Sequence, residues 1–203
     1  MTLKEMCQRA AELTDRADDF VTVKDPDTGE DVYDPNDDPG IWFNVMKQGI
    51  NTAYRDVARK LLMPDIRVEM ELGKGGTLDL MSLKPGISKI KAVYNADGSY
   101  ALQYDFVTQF EIKVRGGREG QDVIVQYSFV PDALERFTDE PIFPESLVDP
   151  AIYISMAASK IWAMERKFQA ANYHQNEYYG LLATIRGDVK SSKDRRIRRS
   201  VFR

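Results

Sequence analysis

Residues 61–72 read LLMPDIRVEMEL, and the hydrophobic period changes within them. Before Leu62 the apolar residues Trp42, Val45, Met46, Ile50, Ala53, Tyr54, Val57, Ala58 and Leu61 recur every three or four positions, which predicts a long amphipathic helix over residues 39–62. After Pro64, Ile66, Val68, Met70 and Leu72 alternate with Arg67, Glu69 and Glu71, the pattern of a half-buried strand. Proline marks the boundary because it lacks the amide that a helix interior needs. A helical region therefore gives way here to a β-region.

Turn residues at Gly73–Gly76, Asn95-Ala96-Asp97-Gly98 and Gly116–Gly120 separate runs at 77–80, 87–94, 100–107, 111–115 and 122–130. Read as hairpins, they predict five or six short strands in an antiparallel sheet or small sandwich. Pro131 ends the module, and residues 132–147 form a proline-punctuated, extended connection. Asp149-Pro150 pairs a helix cap with a first-turn proline. Behind it Ile152, Met156, Ala157, Ile161, Met164 and Phe168 share one face. The pattern resumes through Tyr173, Glu177, Tyr178, Leu181, Leu182 and Ile185 as far as Gly187, and both one helix and two, broken near Lys167–Ala170, fit residues 150–186.

Toward the N-terminus, Thr2 and Glu5 make a capping box ahead of Leu3, Met6, Cys7, Ala10 and Leu13, so a first helix ends near Arg16–Asp18. The segment 24–40 cannot extend it, since Pro26, Gly29, Pro35 and Pro39 interrupt it and nothing apolar is periodic. Asp38 is the expected cap of the long helix, with Pro39 in its first turn. The fold class expected is α+β. Residues 1–63 and 148–187 form a helical bundle, 64–131 an inserted antiparallel β-module, 132–147 the connection and 188–203 an extended basic C-terminal arm.

Composition narrows the chemistry. The 203 residues carry 28 Lys and Arg against 32 Asp and Glu, a formal charge of −4, and are 43% apolar, as in globular proteins. No run approaches the roughly 20 apolar residues of a membrane span. The stretch MTLKEMCQRAAELTDRADDF lacks the basic start and apolar block of a secretory signal, so a soluble intracellular product with a reduced thiol is expected. Cys7 has no partner for an internal disulfide, and His174 is the only histidine, so a zinc site would have to be built from these two and carboxylates. Gly73-Lys74-Gly75-Gly76 and Gly116-Gly117-Arg118-Glu119-Gly120 lack the spacing and following helix of a phosphate loop. The expectation is a protein without catalytic residues, cofactor or metal.

Individual residues sustain other readings less well. Asp25, Asp27 and Asp31 offer oxygen ligands for calcium, but the D-x-D-x-D-G pattern with a twelfth-position glutamate is missing. The adjacent acids Asp37 and Asp38, or Asp139 and Glu140, could do acid–base work, although neighbouring acids are common on loops. His174 sits on a polar helix face without a nearby nucleophile. Tyr173, Tyr178 and Tyr179 could stack bases, but at helical spacing they fit packing against residues 39–62 better.

Charge is unevenly spread. Residues 190–203, KSSKDRRIRRSVFR, set Lys190, Lys193, Arg195, Arg196, Arg198, Arg199 and Arg203 against Asp194, a net charge of +6 that leaves −10 for the rest. In residues 24–40, Lys24 faces seven acids, a net of −6. A polybasic end can neutralise DNA phosphates or remain a solvated tail. Ile197, Val201 and Phe202, interleaved with the arginines, suit a segment that orders by docking into a partner.

A strand ending at Tyr127–Pro131 is followed by Leu134, then by a connection with Asp139, Pro141 and Pro144. Next come a helix rich in Ala151, Ala157 and Ala158 and a stretch ending Tyr178-Tyr179-x-Leu181-Leu182. This arrangement resembles the head-to-tail connector adaptors of tailed bacteriophages, in particular those with a β-module between helical segments, such as the adaptor-like tubular tail proteins of short-tailed phages. Residue-level support lies within 127–185, and the acidic segment 24–40 is outside the family pattern.

The resemblance implies a structural virion protein of the neck, assembled in the host cytoplasm. Such proteins form a ring, typically of twelve subunits, beneath the portal, and commonly embed their C-terminal segments in it. Carried over, residues 188–203 become the portal-docking arm, with Lys190, Lys193, Arg195, Arg196, Ile197, Arg198, Arg199, Val201, Phe202 and Arg203 as its contacts. Trp42, Met46, Tyr54, Ile161, Met164 and Phe168 become inter-subunit contacts on the helices. The implied partners are the portal protein, a tail or head-closure protein, further copies of the chain, and double-stranded DNA passing through the lumen without sequence-specific binding. An acidic body would let that DNA slide rather than stick. The competing expectations are another neck or tail-tube component and a DNA-binding accessory protein that uses the basic tail.

Overall fold

The structure, a computed structural model, describes residues 1–20, 22–29, 31–33, 40–83 and 85–201, with only the backbone of 19, 33, 40, 61, 62 and 186–201. The fold is α+β. It divides into two compact units, one made of residues 1–61 and 133–203, the other of 62–132.

In the first unit α1 (Leu3–Leu13) opens with the expected capping box: the Thr2 hydroxyl accepts the Glu5 amide at 3.3 Å, and the Glu5 carboxylate accepts the Thr2 amide at 2.8 Å. Leu3, Met6, Cys7, Ala10 and Ala11 face inward, while Leu13 is exposed. The helix stops earlier than Arg16 because the Thr14 hydroxyl turns back to the Ala10 carbonyl at 2.8 Å and Asp15 adopts φ 55°. A 3-10 turn at Ala17–Asp19 follows.

Where the acidic segment, predicted to be irregular, begins, the chain forms a small antiparallel pair, β1 (Thr22–Lys24), which leads into it, and β2 (Asp31–Tyr33), which lies within it. The Asp38 cap lies outside the described residues. The long helix is present as α2 (Gly40–Val57), extended by one π-helical turn at Ala58–Leu62.

Two helices, not one, occupy the C-terminal part: α3 (Ala151–Met164) and α4 (Phe168–Val201). They are separated at residues 165–167, where Arg166 takes φ 61°. The Asp149 carboxylate accepts the Ala151 amide at 2.9 Å, as the Asp-Pro start predicts. Instead of a single apolar face, α3 buries Ile152, Tyr153, Ile154, Ser155, Ala157, Ala158, Ser159, Ile161 and Trp162, because α1, α2 and α4 all pack on it. Gly49 makes the α2 approach possible: a Cβ there would lie 2.5 Å from the Ala157 Cα.

The connection is stitched to the helices. Leu134 and Asn51 exchange two hydrogen bonds of 2.7 and 3.0 Å, and the Tyr54 hydroxyl accepts the Ile142 amide at 3.1 Å. The carbonyls of Asp139 and Phe137 accept the first amides of α1 at 2.8 and 3.1 Å, satisfying groups that a helix start leaves unpaired.

The second unit holds β3 (Asp65–Glu71), β4 (Thr77–Asp79), β5 (Ile87–Asn95), β6 (Ala101–Leu102), β7 (Tyr104–Thr108), β8 (Glu111–Val114) and β9 (Asp122–Phe129). They form antiparallel sheets in the orders β3-β9-β5-β6 and β4-β8-β7. One core, including Leu72, Leu78, Val93, Ile112, Val123, Val125 and Tyr127, joins residues of both. The turn at residues 95–98 closes a true β5–β6 hairpin. Those at Gly73–Gly76 and Gly116–Gly120, predicted as hairpins, are corners that carry the chain from one sheet to the other. Glycine is needed there: Gly76 has φ 76°, and a Cβ on it would meet the Gly117 carbonyl oxygen at 2.6 Å.

Candidate functional site

The basic segment takes the form of a helical continuation of α4 through Val201. Residues 188–201 contain neither proline nor glycine and several arginines and lysines, good helix formers. The side chains of Lys190, Lys193, Arg195, Arg196, Ile197, Arg198, Arg199 and Val201 lie outside the described residues, as do Phe202 and Arg203 entirely.

The helix residues expected at subunit contacts separate into two groups. Met46, Tyr54 and Ile161 are at most 2% exposed in the core of their own unit, so the chain itself consumes them. The periodicity that singled them out marks an apolar face without saying whose surface covers it. Trp42 is half-buried beneath the Arg16 guanidinium, 3.7 Å above its ring. Only Met164 and Phe168, 42% and 62% exposed, present apolar surface outward.

Two polar grooves lie on the helical unit. The larger, about 1000 Å³, is lined by residues of α1, the connection, α3 and α4 and carries the carboxylates of Glu5, Glu12, Glu140, Glu145 and Glu177. Arg9 and the Met1 ammonium, 2.6 Å from Glu145, offset part of that charge. Within it the Ser155 hydroxyl donates to Glu177 Oε2 at 2.9 Å, and His174 Nδ1 lies 3.3 Å from the same oxygen. Serine and imidazole both turn to the carboxylate, so this is a tie between α3 and α4 and not a nucleophile activated by a histidine.

The second groove, about 560 Å³, runs along the outer ridge of α2. Asn44, Gln48, Thr52, Arg55 and Arg59 recur there at helical spacing, with Lys47, Glu135 and Lys160 beside them. Lys47 pairs with Glu135, and Asp56 is held by Lys60 at 2.7 Å and by the Tyr178 hydroxyl at 3.0 Å. Among the described residues Arg55 and Arg59 have no carboxylate within ion-pairing distance, and Lys160 bonds only the Thr52 hydroxyl, at 3.0 Å. The surplus on this ridge is positive. Sequence reasoning missed it, although the i, i+4 arginines were a visible signal.

The remaining candidates resolve into structural roles. Asp139 accepts the Glu135 and Arg136 amides, both at 2.8 Å, and so caps a turn. Asp25 accepts from the Asp27 amide and the Thr28 hydroxyl, both at 2.9 Å, and Asp31 pairs with Lys4 and Lys24, each at 2.7 Å. Hydrogen bonds from Lys24 and Lys4 hold the Asp31 carboxyl down at about 2. Asp37 and Asp38 lie outside the described residues. Among the described residues no cluster of three or more His, Cys, Asp or Glu is placed to hold a metal ion, and no helix is long and apolar enough to cross a membrane. Cys7 is buried, which pushes its thiol up to about 12 and keeps it from forming the reactive thiolate. Tyr178 packs in the core as periodicity predicted, whereas Tyr173 and Tyr179 are exposed.

The β-unit presents apolar surface of its own. Met81, Tyr100, Phe106, Val107 and Phe110 are all exposed, Phe106 and Val107 on β7, the edge of its sheet. An exposed edge with large apolar residues is surface that soluble proteins usually cover.

No family description and no curated protein matches this chain.

Proposed function

We propose that the chain is a structural virion protein, a head-to-tail adaptor that forms a ring against the portal of a tailed bacteriophage and links capsid to tail. The observation that carries this is the architecture. The two ends of the chain make a helical unit, a separately packed β-unit is inserted between them, and the last helix continues into a segment with a net charge of +6. A protein that joins two larger bodies needs several interaction surfaces and no nucleophile. The α2 ridge, the acidic groove, the β7 edge and the basic end of α4 provide such surfaces. In this role the portal contact falls to the arm of residues 188–203, and an acidic wall lets DNA pass without sticking.

The test is to mix the purified chain, intact and truncated after residue 187, with portal rings of the cognate phage and to inspect the products by electron microscopy. The expected result is a ring stacked on the portal only with the intact chain. Association with neither form would move the assignment to another tail component. Duplex-DNA binding at physiological salt that depends on the tail would move it to a DNA-binding accessory protein.

A further inference from the structure

The α2 ridge has a positive surplus, and among the described residues no carboxylate ion-pairs with Arg55 or Arg59 to neutralise it. Arg55 and Arg59 stand one turn apart, an arrangement of like charges that disfavours the helix unless an anion lies between them. The same helical unit carries a larger groove in which five glutamates outnumber the cations. The two grooves do not share a wall of α3. Lys160 belongs to the first, Ala151, Ile154 and Ser155 to the second, and at 3.6 residues per turn Lys160 points roughly 120–180° around the helix from those three.

A surface and its electrostatic complement on opposite sides of one helix favour head-to-tail contact between identical copies, because a heterologous contact that repeats with rotation closes into a ring. We propose that the α2 ridge, through Arg55, Arg59 and Lys160, docks into the acidic groove of a second copy, against Glu12, Glu140 and Glu145. The inference rests on the ring reading above and gives it a specific contact, one made by polar ridges and not by the apolar faces of the helices. Long cationic side chains keep their charge solvated until docking and can lay their stems along the groove walls.

The experiment is a charge swap in the full-length protein. Arg55→Glu with Arg59→Glu makes both grooves acidic, and Glu12→Lys with Glu140→Lys makes both basic. All four positions are exposed, and circular dichroism checks that each variant keeps its fold. Arg55→Gln with Arg59→Gln serves as a milder second form. By sedimentation velocity, the wild type is expected to self-associate at low salt and to lose about tenfold in affinity or more at high salt, as screened contacts do. Each swapped variant alone is expected to be monomeric, and an equimolar mixture of the two to associate again.

Rescue in the mixture is a result that a general loss of stability cannot produce. A wild type that stays monomeric at millimolar concentration and low salt overturns the inference, as does association indifferent to salt and to both swaps. If instead the Arg55 and Arg59 variants self-associate normally and lose only duplex-DNA binding, the ridge is a phosphate-binding surface and the inference fails. Portal stacking is scored separately. Arm-dependent stacking that ignores the swaps removes this contact while leaving the adaptor role, and self-association without stacking does the reverse.

Discussion

The helical unit is assembled from the two ends of the chain, whereas the β-unit is one continuous segment, and the two meet different folding problems. In the β-unit the first and last long strands are neighbours: Asp65 pairs with Ser128, and the Phe129 amide donates to the Pro64 carbonyl at 3.1 Å. Entry and exit are thus clamped side by side, and the strand pairing needs nothing outside residues 62–132. The helical unit has to close over that insertion. Closure entropy grows only slowly with loop length, so a large insertion is tolerated where its ends are held together.

The comparison breaks most visibly by excision. Residues 62–132 alone are expected to fold, with dispersed amide resonances and a cooperative melt, because their core of Leu72, Val93, Ile112, Val123, Val125 and Tyr127 is internal. An excised segment without cooperative unfolding would mean that the unit depends on the rest of the chain. Next in size is Ile161→Ala in the intact protein, which removes a fully buried side chain from α3 and should cost about 2–5 kcal/mol. In a denaturant melt read by aromatic and far-ultraviolet signals, the loss should fall on the helical transition and spare the β-unit. A shift of both by the same amount would show that they unfold as one.

How legible each unit was follows from the kind of signal its residues carry. The 3.6-residue stripe and the alternation after Pro64 depend on neighbours in sequence, so α1, α2 and the strands could be read directly. The glycine corners were misread as hairpins because a positive φ specifies a turn but not which sheet receives the next strand. The break at Arg166 was ambiguous because no proline or glycine marks it. It is held instead by contacts that form on folding, the distant Arg16 on Glu165 and, locally, the Lys167 ammonium 4.3 Å from the Trp162 ring. The grooves were illegible for the same reason, since Glu12, Glu140 and Glu177 meet only after the chain folds. The β1–β2 pair at the start of the acidic segment escaped because three-residue strands leave no period to detect.

Two hydroxyls in the helical core sharpen the comparison at smaller scale. Tyr54 and Tyr153 meet edge to face, ring centres 6.1 Å apart, and both are about 1% exposed. Tyr54 accepts the Ile142 amide, whereas the Tyr153 oxygen has no hydrogen-bond partner among the described residues. Burial drives the Tyr153 hydroxyl well above the ordinary tyrosine range. Tyr54→Phe should therefore destabilise by about 1 kcal/mol, since the Ile142 amide loses its acceptor, and Tyr153→Phe should be neutral or stabilise by about 1 kcal/mol. Melts of the two variants check the opposite signs. Equal losses would mean that the Tyr153 hydroxyl has a partner in solution. Because the rings touch, the double variant is not expected to be additive.

The smallest effect concerns how the β1–β2 pair is fastened to the helical unit. Asp31 sits between Lys24, its register partner on β1, and Lys4 on α1, and hydrogen bonds from the two lysines hold its carboxyl at about 2. An unfolded aspartate titrates near 3.9, so the folded group releases its proton more readily. The associated stability is fully present above roughly pH 4 and is lost as the pH falls through the folded value, toward pH 2. Asp31→Asn should lower stability slightly at pH 6, and the two proteins should converge as the pH approaches 2. A carboxyl titration of Asp31 by nuclear magnetic resonance tests the cause directly. A midpoint near the ordinary value would mean that the lysines do not hold it in solution, and the acidic segment would then be fastened to α1 by something other than charge.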